Sequence, residues 1–148
     1  MFEKILVPYD FTKFASLAFE NAVRIAEKFN SEVTLLTIIG ADIDTSGMSL
    51  SRAQEVQDER EDKARQELEL IKNSGKYQDV NISVEIINNP SIADGIVSFV
   101  DKNDIDLIVM GSHGRAGLQK LVLGSIASEV ITKAKCQVLI AKLLKTKE

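Results

Sequence analysis

Two runs of apolar residues, Ile5-Leu6-Val7 and Leu107-Ile108-Val109-Met110, limit the fold more than any other feature of this chain. A strand with one face in water alternates apolar and polar side chains, so an unbroken run marks a strand covered on both faces. Such strands belong to parallel sheets, whose crossover connections lay helices over both sides. The segments between have the spacing those helices need. Ala15, Ala18, Ala22, Ile25, Ala26 and Phe29 recur at helical intervals before a stop at Asn30. EVTLLTII reads as the second strand, and residues 40–49 have the composition of a loop. A long charged helix from about Leu50 to Asn73 carries a thin stripe of Ala53, Val56, Ala64, Leu68 and Ile71, with Gly75 where a C-terminal cap belongs. VNISVEI alternates strictly, as a half-exposed edge strand does. Ser91 and Asp94 have capping-box spacing at the head of the next helix. Val122, Ile126, Val130 and Ala134 mark a fourth helix, and QVLIAK the fifth strand. The expectation is α/β: a single doubly wound domain over residues 1–148, with a five-stranded parallel sheet and four helices.

Glycine usage points to where such a sheet would work. Four of the eight glycines, at 111, 114, 117 and 124, fall in GSHGRAGLQKLVLGS. That segment begins where a buried strand ends and finishes where a helix begins. In open α/β sheets, ligands bind beyond the carboxyl ends of the strands. Glycines there permit positive φ and close approach to main-chain amides. The helix after Gly124 offers unpaired N–H groups and roughly half a positive charge at its start. Ser125 adds a hydroxyl, and a polyphosphate suits such a place. The alternative is a strand–helix connection with no ligand. Neither the P-loop signature nor a G-x-G-x-x-G after the first strand is present. The spacing present is G-x2-G-x9-G-S, at Gly111, Gly114, Gly124 and Ser125.

Other classes are disfavoured. A net charge of −4 without a basic stripe argues against nucleic acid, and the apolar runs are too short to cross a membrane. MFEKILVPYD does not read as a signal peptide, so a cytoplasmic location is expected. The single cysteine, Cys136, allows no internal disulfide and reads as a small buried hydrophobe.

KILVPYDFT, DLIVMGSHGRAGLQKLVLGSIASEVI and CQVLIAK together resemble the universal stress protein family, in its ATP-binding branch, over essentially the whole chain. The resemblance implies the strand order 3-2-1-4-5 and a dimer. It implies ATP, or ADP or AMP, as ligand, with Mg2+ or Mn2+ bound through the phosphates. Main-chain groups of Gly111, Ser112, His113, Gly114, Gly124, Ser125 and Ile126 would hold ribose and phosphates. Pro8, Tyr9 and Asp10 would flank the nucleoside, Ile38 would meet adenine, and Met110 would line the pocket. Tyr9 stands where the family often has a smaller residue, so its ring could crowd or stack on the base.

Each position also has a plainer reading. Asp10 could cap the first helix, in competition with Thr12. Met110 could simply end its strand in the core, and Arg115 and Lys120 could be solvated. His113, the one histidine, reads as a backbone contributor rather than a catalyst. From 111 to 126 only His113 and Gln119 could orient a water, so the expected activity is nucleotide-dependent regulation of a stress response with little or no hydrolysis. The alternatives are a nucleotide-free dimeric interaction module or a slow ATPase. Val138, Leu139, Ile140 and Ala141 form an apolar edge strand, expected to pair with its own copy in a homodimer.

Overall fold

Strands and helices alternate as β1 (Lys4–Pro8), α1 (Lys13–Phe29), β2 (Glu32–Ile39), α2 (Leu50–Lys72), β3 (Asn81–Asn88), α3 (Ile92–Asn103), β4 (Leu107–Gly111), α4 (Ser125–Lys133) and β5 (Gln137–Ala141). The computed structural model describes residues 2–41, 43–113 and 123–143. All strand pairs are parallel, and the sheet order is β3-β2-β1-β4-β5. The expected five-stranded sheet with four flanking helices is therefore present.

The unbroken apolar runs feed two cores. Ile5, Val7, Val33, Leu35, Leu107 and Val109 pack on one side of the sheet, against Ala18, Phe19, Ala22, Val23 and Ala26 of α1 and Leu68 of α2. Leu6, Leu36, Ile108 and Met110 pack on the other, against α3 and α4. Neighbours in sequence thus point to opposite layers, and each run must be apolar throughout. At the rim, β3 buries Ile82 and leaves Glu85 exposed, as an edge strand should.

The helices begin and stop on local signals. Thr12, Ser49 and Ser91 accept from the amides of Ala15, Arg52 and Asp94, capping α1, α2 and α3. Asn30 ends α1 in the left-handed conformation, and Asp104 does the same for α3. Two sequence expectations shift here. Phe29 is 53% exposed rather than part of the α1 core face, because its ring packs edge-on against Phe2 beyond the end of the sheet. Gly75 has positive φ but lies past the cap of α2, which is Asn73.

Only Ile5↔Leu107 and Leu6↔Ile108 pair in register between β1 and β4. Asp106 extends that short ladder. Its carboxylate accepts from the amides of Glu3 (2.8 Å) and Lys4 (3.2 Å), while its own amide donates to the Lys4 carbonyl at 3.1 Å. The outermost strand, β5, pairs with β4 alone. Val138 and Ile140 lean on the α3/α4 core, whereas Leu139 is 37% exposed.

Candidate functional site

The topology brings the predicted residues to one end of the sheet. β1 delivers Pro8, Tyr9 and Asp10; β2 delivers Ile38; β4 delivers Met110, Gly111, Ser112 and His113; and α4 starts with Gly124 as N-cap, followed by Ser125 and Ile126. Gly114, Arg115, Gly117, Gln119, Lys120 and Val122 lie outside the described residues.

α4 differs from the other helices at its start. Gly124 supplies no side-chain cap, and the first amide to return into the helix is that of Ser128, which donates to the Gly124 carbonyl at 2.9 Å. The amides of Ser125, Ile126 and Ala127 have no partner among the described residues. Unpaired N–H groups at the positive end of a helix favour an anion.

Not every predicted donor is available. The Gly124 amide donates to the Ser112 carbonyl at 2.8 Å, and the Ser112 amide donates to the Ala141 carbonyl at 3.2 Å. These two main-chain N–H groups stitch the loop to itself and to β5. The glycines are also needed for a reason other than positive φ, which neither Gly111 nor Gly124 adopts. A Cβ on Gly111 would lie 2.7 Å from Phe14 Cβ and 3.0 Å from its carbonyl carbon. A Cβ on Gly124 would lie 2.9 Å from the Ser112 carbonyl oxygen. The close approach they permit is that of the protein's own backbone, at the head of α1 and at the end of β4.

Ser112 is buried, and its hydroxyl lies 3.1 Å from His113 Nδ1. The imidazole leans on Phe14, with ring centroids 5.6 Å apart. The His113 ring is thus held by its neighbours.

At the end of β1, the competition for the cap resolves in favour of Thr12. Asp10 braces it, its Oδ1 accepting from the Thr12 amide at 3.1 Å and from the Thr12 hydroxyl at 2.5 Å. Phe11 between them has a left-handed φ of 66°, unusual for a bulky residue. The turn is pinned further by the Tyr9 amide, which donates to the Leu36 carbonyl, and by the Thr37 hydroxyl, which donates to the Tyr9 carbonyl, both at 2.8 Å. The Tyr9 ring meets Phe11 and Phe19 edge-on in the α1 layer. Ile38, Met110 and Ile126 pack in the α3/α4 layer, so the ring and this apolar group occupy different sides of the sheet. Met110 is a buried core residue.

Cys136 is half-buried, and burial pushes its thiol up from the ordinary value, which suits a packing residue rather than a nucleophile. Among the described residues, no three His, Cys, Asp or Glu side chains converge as metal ligands, and no helix is long and apolar enough to cross a membrane. A surface depression runs along the outer face of α2, beside Asp62, Arg65, Glu69 and Leu70. It is an open groove on a single helix and gathers no converging groups.

The sequence profile of the universal stress protein family matches residues 1–142. Universal stress protein MJ0531 of Methanocaldococcus jannaschii is 29% identical over 142 residues, covering 96% of this chain and 83% of that protein. Universal stress protein MJ0577 of the same organism is 29% identical over 96% of both chains. Its solved structure superposes with a TM-score of 0.82 over 99% of each. A family member from Arabidopsis thaliana, solved with AMP bound, shares the fold at 17% identity, with a TM-score of 0.65 over 95% of this chain and 92% of that one. The profile match over residues 1–142, the sheet order and these likenesses agree: the chain belongs to the universal stress protein family.

Proposed function

We propose that this protein binds ATP, or its ADP or AMP counterparts, and acts as a nucleotide-dependent regulator of a stress response with little or no hydrolysis. The observation that carries the reading is the bare start of α4: the amides of Ser125, Ile126 and Ala127 face no side-chain cap at the carboxyl end of the central strands. The phosphates would sit there, with the G-x2-G-x9-G-S loop around them. Pro8 and the pinned turn at Tyr9 and Asp10 would border the nucleoside, Ile38 would meet the adenine, and Met110 would line the pocket. Mg2+ or Mn2+ would enter on the phosphates, whose charge it neutralises. Little or no hydrolysis is expected from so few side chains able to orient a water, His113 and Gln119, and the His113 ring is engaged with Ser112 and Phe14. AMP bound to the Arabidopsis protein of the same fold supports an adenine nucleotide as the class of ligand.

A second reading has its own support. Gly111 and Gly124 are already required by packing, so the loop could serve a nucleotide-free dimeric module. A thermal melt separates the two. ATP at 100 times its dissociation constant adds about 2.7 kcal/mol, a rise of several degrees for a domain of this size. An unmoved melting temperature with millimolar ATP and Mg2+ refutes the binding reading, and phosphate release near one per second makes the protein an ATPase. Both readings share a homodimer through Val138, Leu139, Ile140 and Ala141 of β5, and light scattering that gives a monomer at micromolar concentration would remove it.

A further inference from the structure

α3 lies close over β2, and a glycine makes this possible. Gly95 is buried on the inner side of α3. A Cβ placed there would stand 2.9 Å from Ile38 Cδ1 and 3.3 Å from Ile38 Cγ2, and at an ordinary 3.4 Å from Asn89 Cβ. A glycine inside a helix is less favourable than alanine by roughly 1 kcal/mol, so the helix alone does not account for it. Both branches of Ile38 fill the gap that the missing Cβ leaves. Ile38 is the penultimate residue of β2 and shares its layer with Met110 and Ile126, at the end of the sheet where the α4 amides are bare. A methyl at 95 must drive Cδ1 out of the gap. A turn of Cδ1 toward the strand ends would carry it to the base end of the site.

We propose that Gly95 is a positioning residue for the base end of the nucleotide site. By letting Ile38 tuck beneath α3, it clears an apolar seat for a purine at the end of β2. This rests on the nucleotide-binding reading above and adds that base and phosphates are recognised by separable parts. Gly95 acts through Ile38 and touches no ligand itself.

The test compares ATP with inorganic tripolyphosphate, each with Mg2+, by calorimetric titration of the full chain. In wild type, ATP should bind more tightly than tripolyphosphate. In Gly95→Ala, ATP affinity should fall roughly tenfold from overpacking of the seat, while tripolyphosphate affinity stays within about threefold. Adding Ile38→Val removes the displaced Cδ1 and should restore ATP binding to within about threefold of wild type. An equal loss for both ligands, no loss for ATP, or no recovery in the double variant overturns the proposal. Wild type that binds both equally also overturns it, while leaving a phosphate site in place. Wild type that binds neither removes the nucleotide reading and this inference together. Should Gly95→Ala fail to fold, the Ile38 δ-methyl resonance of wild type decides: it should shift with ATP and not with tripolyphosphate. A methyl unmoved by saturating ATP refutes the proposal.

Discussion

Gly124→Ala probes whether the glycine loop is shaped by the protein's own backbone. The added Cβ would lie 2.9 Å from the Ser112 carbonyl oxygen and 3.3 Å from His113 Cα. Both are main-chain atoms at the end of β4 and cannot swing aside as a side-chain tip can. The Gly124 amide would lose or stretch its 2.8 Å bond to that same carbonyl, a cost of about 1 kcal/mol. Overpacking of the two segments adds about 1–3 kcal/mol. Alanine restricts the unfolded chain, which returns about 0.4–1 kcal/mol. The conformation itself is harmless, since φ −64° and ψ 158° suit any residue. The balance is a destabilisation of about 2 kcal/mol. At about 2–4 °C per kcal/mol for a domain of this size, the apo melting temperature should fall by about 4–8 °C in differential scanning calorimetry. The rise induced by ATP should shrink as well, because the first turn of α4 moves with residue 124. An apo melting temperature equal to or above wild type would mean that the loop and β4 are not in the contact described.

Two further outcomes follow from the packing and the charges. Asp106→Ala removes the acceptor for the Glu3 and Lys4 amides and should lower stability by about 1 kcal/mol; amide exchange of those two residues should accelerate, and unchanged protection refutes the clamp. Burial, with Glu20 adding to it, pushes the Tyr9 and Tyr77 hydroxyls above the ordinary 10.0. The folded state then holds these protons more tightly than the unfolded state, so the stabilisation is complete below pH 10 and is lost as the pH rises past it. Tyr9→Phe should flatten the alkaline fall of the urea midpoint, and an unaltered slope would count against this burial.

Which parts of the molecule were legible in its sequence follows from what each residue type can encode. The doubly covered strands were readable because Ile5, Leu6 and Val7 must face alternate layers, and only apolar side chains satisfy both. Caps were readable where a hydroxyl sits three residues before an amide it can accept from, as Ser91 does for Asp94. The outward turn of Phe29 depends on where the sheet ends, which helical spacing does not express; the burial of Phe19 and Val23 was within reach, since with Ala15, Ala18, Ala22 and Ala26 they complete one face at helical spacing. Glycine was legible as the absence of a side chain but not as the presence of a neighbour. Gly111 makes room for Phe14 and Gly124 for Ser112, contacts between segments far apart or folded back, so the local sequence left open whether a ligand or a plain strand–helix connection required them. The Asp106 clamp gave no signal, since a lone Asp before a strand is equally at home in water.

The meeting of β1 with β4 also sets the order in which this protein can be made. A ribosome finishes β1, β2 and β3 while the inner edge of β1, at Ile5 and Leu6, still lacks its partner strand. That edge waits through most of translation for Asp106, Leu107 and Ile108 to emerge. Until then the nascent half-sheet presents unpaired backbone groups beside freshly exposed hydrophobic residues, the combination that promotes aggregation. A protein whose finished form protects this strand at its centre is therefore most vulnerable before it is complete, and chaperone assistance would matter during synthesis rather than after it.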